Sequence, residues 1–438
     1  MDRYTTFILK HRKTIITVFV LLTILCTGLS LQVGVNYKFA DYLPDDSAST
    51  RALDTMKTEY TQSIPNLRVV IYDVTIPQAL SYKEQLEAIE GIEEVTWLDD
   101  AVNIYEQLEN ADADTVDAWY KNSDALYSVT VSEKEEEKKA AIDAVRNLIG
   151  DDNAMSGTAA TDVLSPVHTT KDIQKIMMIV LPVVFLILLL KTNYWFEPVL
   201  FMLTIGIAIM LNRGTNLIFG EISFVTNAAG SILQLAVSMD YSIFLLHRFA
   251  ENRKEGYEVQ EAMIRAVKQS TGSVLSSGLT TVTGFAALIL MRFKIGPDMG
   301  WVMAKAIVWS LICVLCLLPA LAISTYRWID KTQHRPFYPS FEKFASVVMK
   351  IRIPALLLAV LAAVPCFLAQ GQNSFLYGSS RVYSTKATQM GRDLLAIEEE
   401  YGASNPLVIL VPKGDMEKEK QLNDALTEDE DVTSVISY

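Results

Sequence analysis

The chain has 438 residues, half of them hydrophobic, yet its formal net charge is −13. Those properties coexist only when apolar and acidic residues are segregated, and an acidic balance of this size argues against a nucleic-acid partner. The four cysteines, Cys26, Cys313, Cys316 and Cys366, fall in apolar runs, which excludes a disulfide-stapled scaffold and makes Cys313-x-x-Cys316 small apolar packing rather than a redox or metal pair.

Taken in chain order, seven apolar runs qualify as candidate membrane helices, the third of them short: about 14–31, 174–190, 197–212, 225–246, 274–292, 300–324 and 353–369. Residues 1–31 form the N-terminus and first span, retained rather than cleaved as a signal peptide. Residues 32–173 alternate strand and helix signals. Asn66–Asp73 is strand-like, Pro77–Glu90 helical and Ile92–Leu98 strand-like. A helical insertion at 100–120 separates these from Leu126–Ser132, the charged helix Glu133–Leu148 and the strand Asn153–Ala159. This is βαβ twice, the order of an α+β ferredoxin-like lobe. The charge run at Glu133–Lys139 is a solvated helix face.

Spans two to six occupy 174–324, a linker 325–352, and the seventh span 353–369. Residues 370–438 echo the lobe that follows the first span. Gly371-Gln-Asn373 matches Gly34-Val-Asn36, Glu400-Tyr401 matches Glu59-Tyr60, and Gln421-Leu422 matches Gln85-Leu86. Two copies of span-plus-lobe are therefore expected, the second incomplete. A half-sheet with open edges predicts that the chain is an N-terminal portion of a longer protein or needs a partner chain.

Residues 32–172 carry 28 acidic against 11 basic side chains, and 370–438 carry 12 against 6. The spans and short loops are positive by difference. Lys10, Arg12 and Lys13 before the first span, Arg248, Arg253, Lys254, Arg265 and Lys268 after the fourth, and Arg327 to Arg352 before the seventh set the orientation. The N-terminus and linker are expected in the cytoplasm and both lobes outside, in the cytoplasmic membrane of a bacterium.

Asp240 lies inside the fourth run, where a carboxylate costs roughly 2.5 kcal/mol or more on insertion scales. It is expected to face a protein interior and to serve a proton or ion pathway; a protonated packing carboxyl is the bland alternative. On the fifth span, Gly272, Ser276, Thr280 and Gly284 recur every four residues, with Ser273, Ser277 and Thr281 alongside. Such a small, hydroxyl-rich stripe admits close helix approach, and the fourth span is its expected partner through Gly230, Ala236 and Asp240.

Asp240-Tyr241 with Phe244-Leu-Leu-His-Arg-Phe-Ala-Glu251, then Ser273–Leu288 and Leu317-Leu-Pro-Ala-Leu321, resembles the RND superfamily in its MMPL branch. Asp41-Tyr-Leu-Pro-Asp-Asp-Ser47 resembles that family's entry into its first lobe. The resemblance implies proton-driven export of lipids or other hydrophobic and amphipathic compounds. Asp240 would be a proton-relay acid, Tyr241 its hydrogen-bond partner, and Ser276, Thr280, Thr281 and Gly284 the supporting stripe. It implies twelve spans in two halves, of which this chain carries one half and the start of the next.

No phosphate-binding loop or metal-ligand cluster occurs in the sequence, so no cofactor, metal or enzymatic activity is expected. The expected partners are the bilayer, lipid-like molecules, protons, a missing second half or partner chain, and a second copy of the chain. Two other readings stand beside export: a lipid- or sterol-sensing membrane module, and an accessory protein of a secretion system.

Overall fold

A computed structural model of the chain describes residues 2–59, 64–105, 111–334, 342–373, 385–402, 409–411, 414–427, 429, 432 and 435. They form two compact units, one of Met1–Pro44 with Thr158–Ser384 and one of Asp45–Gly157 with Thr385–Tyr438. The chain opens with α1 (Asp2–Lys10), α2 (Arg12–Ser30) and the short strand β1 (Gly34–Asn36).

The second unit contains the predicted lobe. After α3 (Ala48–Glu59) come β2 (Leu67–Ile71), α4 (Ile76–Glu87), β3 (Ile92–Thr96), α5 (Leu98–Ala101), α6 (Ala113–Trp119), β4 (Tyr120–Lys121), β5 (Asp124–Val131), α7 (Glu135–Ile149) and β6 (Ala154–Ser156). The antiparallel sheet has the order β3-β5-β2-β6, with β4 on β5, so the two βαβ units interleave as in a ferredoxin-like fold. The insertion predicted over 100–120 is helical at α5 and α6; residues 106–110 fall outside the described residues.

Local chemistry sets these boundaries. Gln78 Oε1 accepts from the Thr75 N–H at 2.9 Å at the start of α4, and Asp112 accepts from the Thr115 N–H at 3.0 Å at the start of α6. Three glutamates in the first turn of α7 complement its dipole, and Gly150, at φ +70°, ends it. One sheet face buries Leu67, Val69, Ile71, Tyr127 and Val129. Each aliphatic side chain there contributes about 1.5–3 kcal/mol of burial. Fully buried Trp97 packs at a tilt against Tyr127, ring centroids 5.8 Å apart, and the Tyr127 hydroxyl donates to the Ala79 carbonyl at 2.8 Å.

The membrane-type unit continues with α8 (Thr158–Lys191), α9 (Glu197–Thr215), β7 (Glu221–Ser223), α10 (Phe224–Lys254), α11 (Val259–Ala287) and α12 (Ile295–Ile312). A π-helical turn, Cys313–Leu317, carries α12 into α13 (Leu318–Lys331), and α14 (Glu342–Gln370) follows. Seven spans were expected, and seven helices among the described residues are long and apolar enough to cross a membrane. Most outrun the expected bounds because their ends are charged: α10 continues through Arg248 and Arg253 to Lys254, and α8 starts at Thr158. The sixth span is the central post, with 72% of its most apolar stretch buried, whereas the seventh buries none. Strands β1 and β7 pair in parallel, joining the end of α2 to the start of α10. Gly214 on α9 meets α2 so closely that a methyl group there would overlap the Cys26 main chain.

Beyond α14 come α15 (Gln389–Tyr401) and α16 (Met416–Thr427), in the same unit as the lobe. The sheet face opposite α4 and α7 presents Val70, Leu126 and Ala154, and Ile397 of α15 packs on them with Tyr72 and Tyr401. Asp393, buried, pairs with Arg146 and accepts from the Met155 N–H at 3.3 Å. The Tyr401 hydroxyl donates to the Asp124 carbonyl at 2.6 Å. Part of the segment read as an incomplete second lobe thus forms a helix that covers an apolar face of the first lobe's sheet. Within the stretch read as a second copy, residues 374–384 and 403–408, among others, lie outside the described residues.

Candidate functional site

The site lies where α10, α11 and α12 meet. Ser223 caps α10, accepting from the Thr226 N–H at 3.1 Å, and Asp298 at the head of α12 accepts from the Ser223 N–H at 2.9 Å and from the Thr226 hydroxyl. Starts of α10 and α12 are therefore tied together by side-chain caps.

Along α10 the buried face carries Gly230, Gln234, Ser238, Tyr241 and Leu245, the 3- and 4-residue spacing of one helix stripe. Gln234 Nε2 donates to the Ala306 carbonyl at 3.0 Å and to Ser310 Oγ at 3.1 Å. Ser238 Oγ donates to Ser310 Oγ at 2.6 Å, and Ser310 donates onward to the Ala306 carbonyl at 3.0 Å. This cross-helix polar chain has essentially no solvent exposure, so its geometry is strongly specified. Gln234 Oε1 and Ser242 Oγ have no hydrogen-bond partner among the described residues.

Tyr241 is buried, and its hydroxyl meets Thr281 Oγ1 at 3.4 Å. That contact joins two residues singled out in the sequence, one from each predicted element. Asp240 is not brought into it. Consecutive helical residues point about 100° apart, and Asp240 sits on the exposed side of α10 with Leu233, Ala236 and His247. Among the described residues it forms no hydrogen bond or ion pair. The expectation that Tyr241 partners Asp240 is corrected accordingly: Tyr241 turns inward to Thr281 because its ring fills the α10–α11 seam.

The hydroxyl stripe is corrected too. Helices α10 and α11 do pack together, but the buried face of α11 is Val267, Thr271, Val274 and Gly278. Gly278 is the close-approach residue, since a methyl group there would meet Leu311 of α12. Gly272, Ser276, Thr280 and Gly284 lie on the exposed side, and neither Gly272 nor Gly284 has an atom within 4 Å of where a Cβ would sit. The Thr280 hydroxyl is satisfied by the Ser276 carbonyl at 2.8 Å, and that of Thr281 by the Ser277 carbonyl at 3.1 Å. Asp240 and the stripe therefore share one property: both lie on surface that no described helix covers.

Sequence reasoning passed over Lys305, a basic residue inside the sixth span. Its Nζ reaches the end of α9, donating to the Asn212 carbonyl at 3.0 Å, Thr215 Oγ1 at 2.9 Å and Asn216 Oδ1 at 2.7 Å. A cation at a helix C-terminus meets unsatisfied carbonyls and the negative end of the dipole. The signal was available, because a lone Lys in an apolar run is itself anomalous. Gln234, Ser238 and Ser310 had no such signal; their partnership spans more than 70 positions. No group of three or more His, Cys, Asp or Glu residues is arranged for a metal among the described residues.

Fold and site together define a multi-pass helical membrane protein with an α+β lobe between its first two spans. Residues 41–346 match the MMPL family, and the chain belongs to it. A putative membrane protein of Methanocaldococcus jannaschii, MJ1562, is 32% identical over 33% of this chain and 38% of its own length. The probable trehalose monomycolate exporter MmpL3 of Mycobacterium leprae is 24% identical over 41% of this chain and 18% of its own. The chain thus spans well under half the length of these relatives. Among solved structures, SecDF, a translocon-associated membrane protein from Thermus, aligns over 73% of this chain and 38% of its own at 15% identity and a TM-score of 0.42.

Proposed function

We propose that this protein takes part in exporting lipids or other hydrophobic or amphipathic compounds across the cytoplasmic membrane, driven by proton movement through Asp240. The observation that supports this reading is a carboxylate well inside an apolar helix, on a face the described helices leave uncovered. A lone acid facing lipid would be costly, so a second half or partner chain is proposed to cover Asp240 together with Ser276, Thr280 and Gly284. Protonation of a carboxyl at such a seam alters the free energy of one packing relative to another, which is what a two-state transporter requires. Tyr241 and Thr281 would act as the hydroxyl pair that senses the neighbouring charge across the α10–α11 seam.

In this reading the N-terminus is cytoplasmic, the lobe at 32–173 is outside, and 370–438 begins a second lobe whose helix α15 braces the first. The test is flux of a fluorescent lipid analogue in membrane vesicles of the producing cell under an imposed pH gradient. Asp240→Asn keeps shape but cannot release a proton; it is expected to abolish gradient-driven flux at an unchanged membrane level. Tyr241→Phe, which loses only a hydroxyl, is expected to reduce it less. Undiminished flux in the Asp240→Asn variant would return Asp240 to a packing role.

A further inference from the structure

A cleft of about 530 Å³ lies at the opposite end of α2 from β1, lined by Thr6, Leu9, Lys10, His11, Arg12, Lys13, Thr14, Gln260 and Ile264. Its volume is within the range of pockets that hold small ligands, about 300–1,000 Å³. The break between α1 and α2 at His11 forms one wall, and the first two turns of α11 form the other.

Its charge is one-sided. Lys10, Arg12 and Lys13 line the cleft, no carboxylate does, and among the described residues none of the three forms an ion pair. Of the nearby acids, Asp2 pairs with Lys268 at 3.1 Å and Glu261 with Arg265 at 2.9 Å, and Glu258, exposed at the start of α11, does not line the cleft. An anion is the complementary occupant.

The surroundings distinguish a lipid from a free anion. Helix α1 holds Thr5, Ile8 and Leu9 inward, while Phe7 stays 60% exposed and packs at a tilt against His11, ring centroids 4.7 Å apart, as an aromatic anchor at headgroup depth does. Below Thr14 on the same face of α2 come Val18, Leu21 and Leu25, all exposed. The spacing of 4, 3 and 4 residues makes this one apolar track running from the cleft along the span. Leu9 and Ile264 give the cleft an apolar side next to its basic one.

We propose that this cleft binds the phosphate of an anionic phospholipid headgroup, with the acyl chains lying along the Thr14–Leu25 face of α2. The inference depends neither on transport nor on Asp240, so it stands or falls separately from the export reading. Lys10, Arg12 and Lys13 supply the charge, and Thr6, Thr14 and Gln260 supply neutral hydrogen-bonding groups.

The full chain, purified in neutral detergent and offered equal amounts of phosphatidylglycerol and phosphatidylcholine, tests this by native mass spectrometry of retained lipid. The expected result is selective retention of phosphatidylglycerol. K10Q/R12Q/K13Q should lose about five-fold in affinity per charge, about a hundred-fold in all. The charge-preserving K10R/K13R variant should retain it, which separates lost binding from misfolding. R327Q/K331Q, with basic residues removed elsewhere, should bind as the parent does. Equal retention of the two lipids, or undiminished phosphatidylglycerol binding by the triple variant, overturns the proposal. Displacement of the lipid by inorganic phosphate at the same concentration would make the cleft a free-anion site and overturns it too.

Discussion

Asp393→Ala is expected to unseat α15 from the lobe. The wild-type carboxylate is 4% exposed and accepts from Arg146, from the Met155 N–H at 3.3 Å and from Gln389 Nε2 at 2.9 Å. Removing it leaves a buried N–H on an edge strand and a guanidinium without its counter-charge. Breaking a buried ion pair from one side costs about 3–5 kcal/mol. Arg146 keeps its bonds to the carbonyls of Gly150 at 3.0 Å and Asn153 at 3.1 Å, so the lower figure, about 3 kcal/mol, applies. That corresponds to roughly a hundred-fold increase in local opening. Hydrogen exchange of the full chain reads it directly. Amides of β6 and α15 should exchange about a hundred-fold faster while those of α4 and β3 stay protected. Asp393→Asn retains polar contacts without the charge and should fall between. Ile397→Ala, which empties the apolar contact with Val70 and Leu126, should give the same regional pattern at about 2–4 kcal/mol. Unchanged exchange across β6 and α15 in Asp393→Ala would refute the seating of the helix on this sheet.

Impermeant maleimide applied to intact cells should label Ser47→Cys and leave Glu255→Cys unlabelled; the reverse pattern inverts the orientation drawn from the Lys/Arg asymmetry. Gly214→Ala should destabilise the pairing of α2 with α9 by about 1–3 kcal/mol, read as a lower Tm in detergent. Cys26→Ala should not rescue it, since the overlap is with main chain. In the lobe, burial depresses the ammonium of Lys83, but its bonds to Asp100 at 2.7 Å and Asp99 at 2.9 Å outweigh this and hold its pKa above the ordinary lysine value. The raised folded value means that the Lys83 contribution is whole below a pH of about 10.4 and is lost as the pH rises through the folded value. The Tm difference between wild type and Lys83→Met should therefore shrink above that pH; a constant difference between pH 8 and 11.5 would count against the cluster.

The spans were legible because each holds an apolar run longer than any soluble helix needs, and the lobe because its strand and helix periods alternate cleanly. Helix ends were less so: hydropathy reports what lipid touches, whereas α10 and α11 extend past the lipid-compatible stretch on charged residues such as Arg253 and Arg265. Asp240 stood out as an isolated charge in an apolar segment. The direction it faces did not, because an azimuth on one helix says nothing about which neighbours surround it. Four-residue spacing marked Ser276 and Thr280 as one face of α11, but the face that packs is the one with Val274 and Gly278. The polar chain from Gln234 to Ser310 was hidden for a different reason. Each member is a single neutral residue in an apolar run, and only folding brings them within 3.1 Å.

The placement of α15 also sets a timetable for synthesis. The lobe's four main strands are complete at Ser156, but the helix that covers Val70, Leu126 and Ala154 begins only at Gln389. At about 5–20 residues per second, that interval of about 230 residues lasts on the order of 10–50 s. Throughout it an apolar sheet face and the unpaired Arg146 stay open while spans two to seven enter the bilayer. A chaperone that binds exposed sheet would meet its substrate in that interval, and a stall between Ser156 and Gln389 would leave the lobe folded but uncovered.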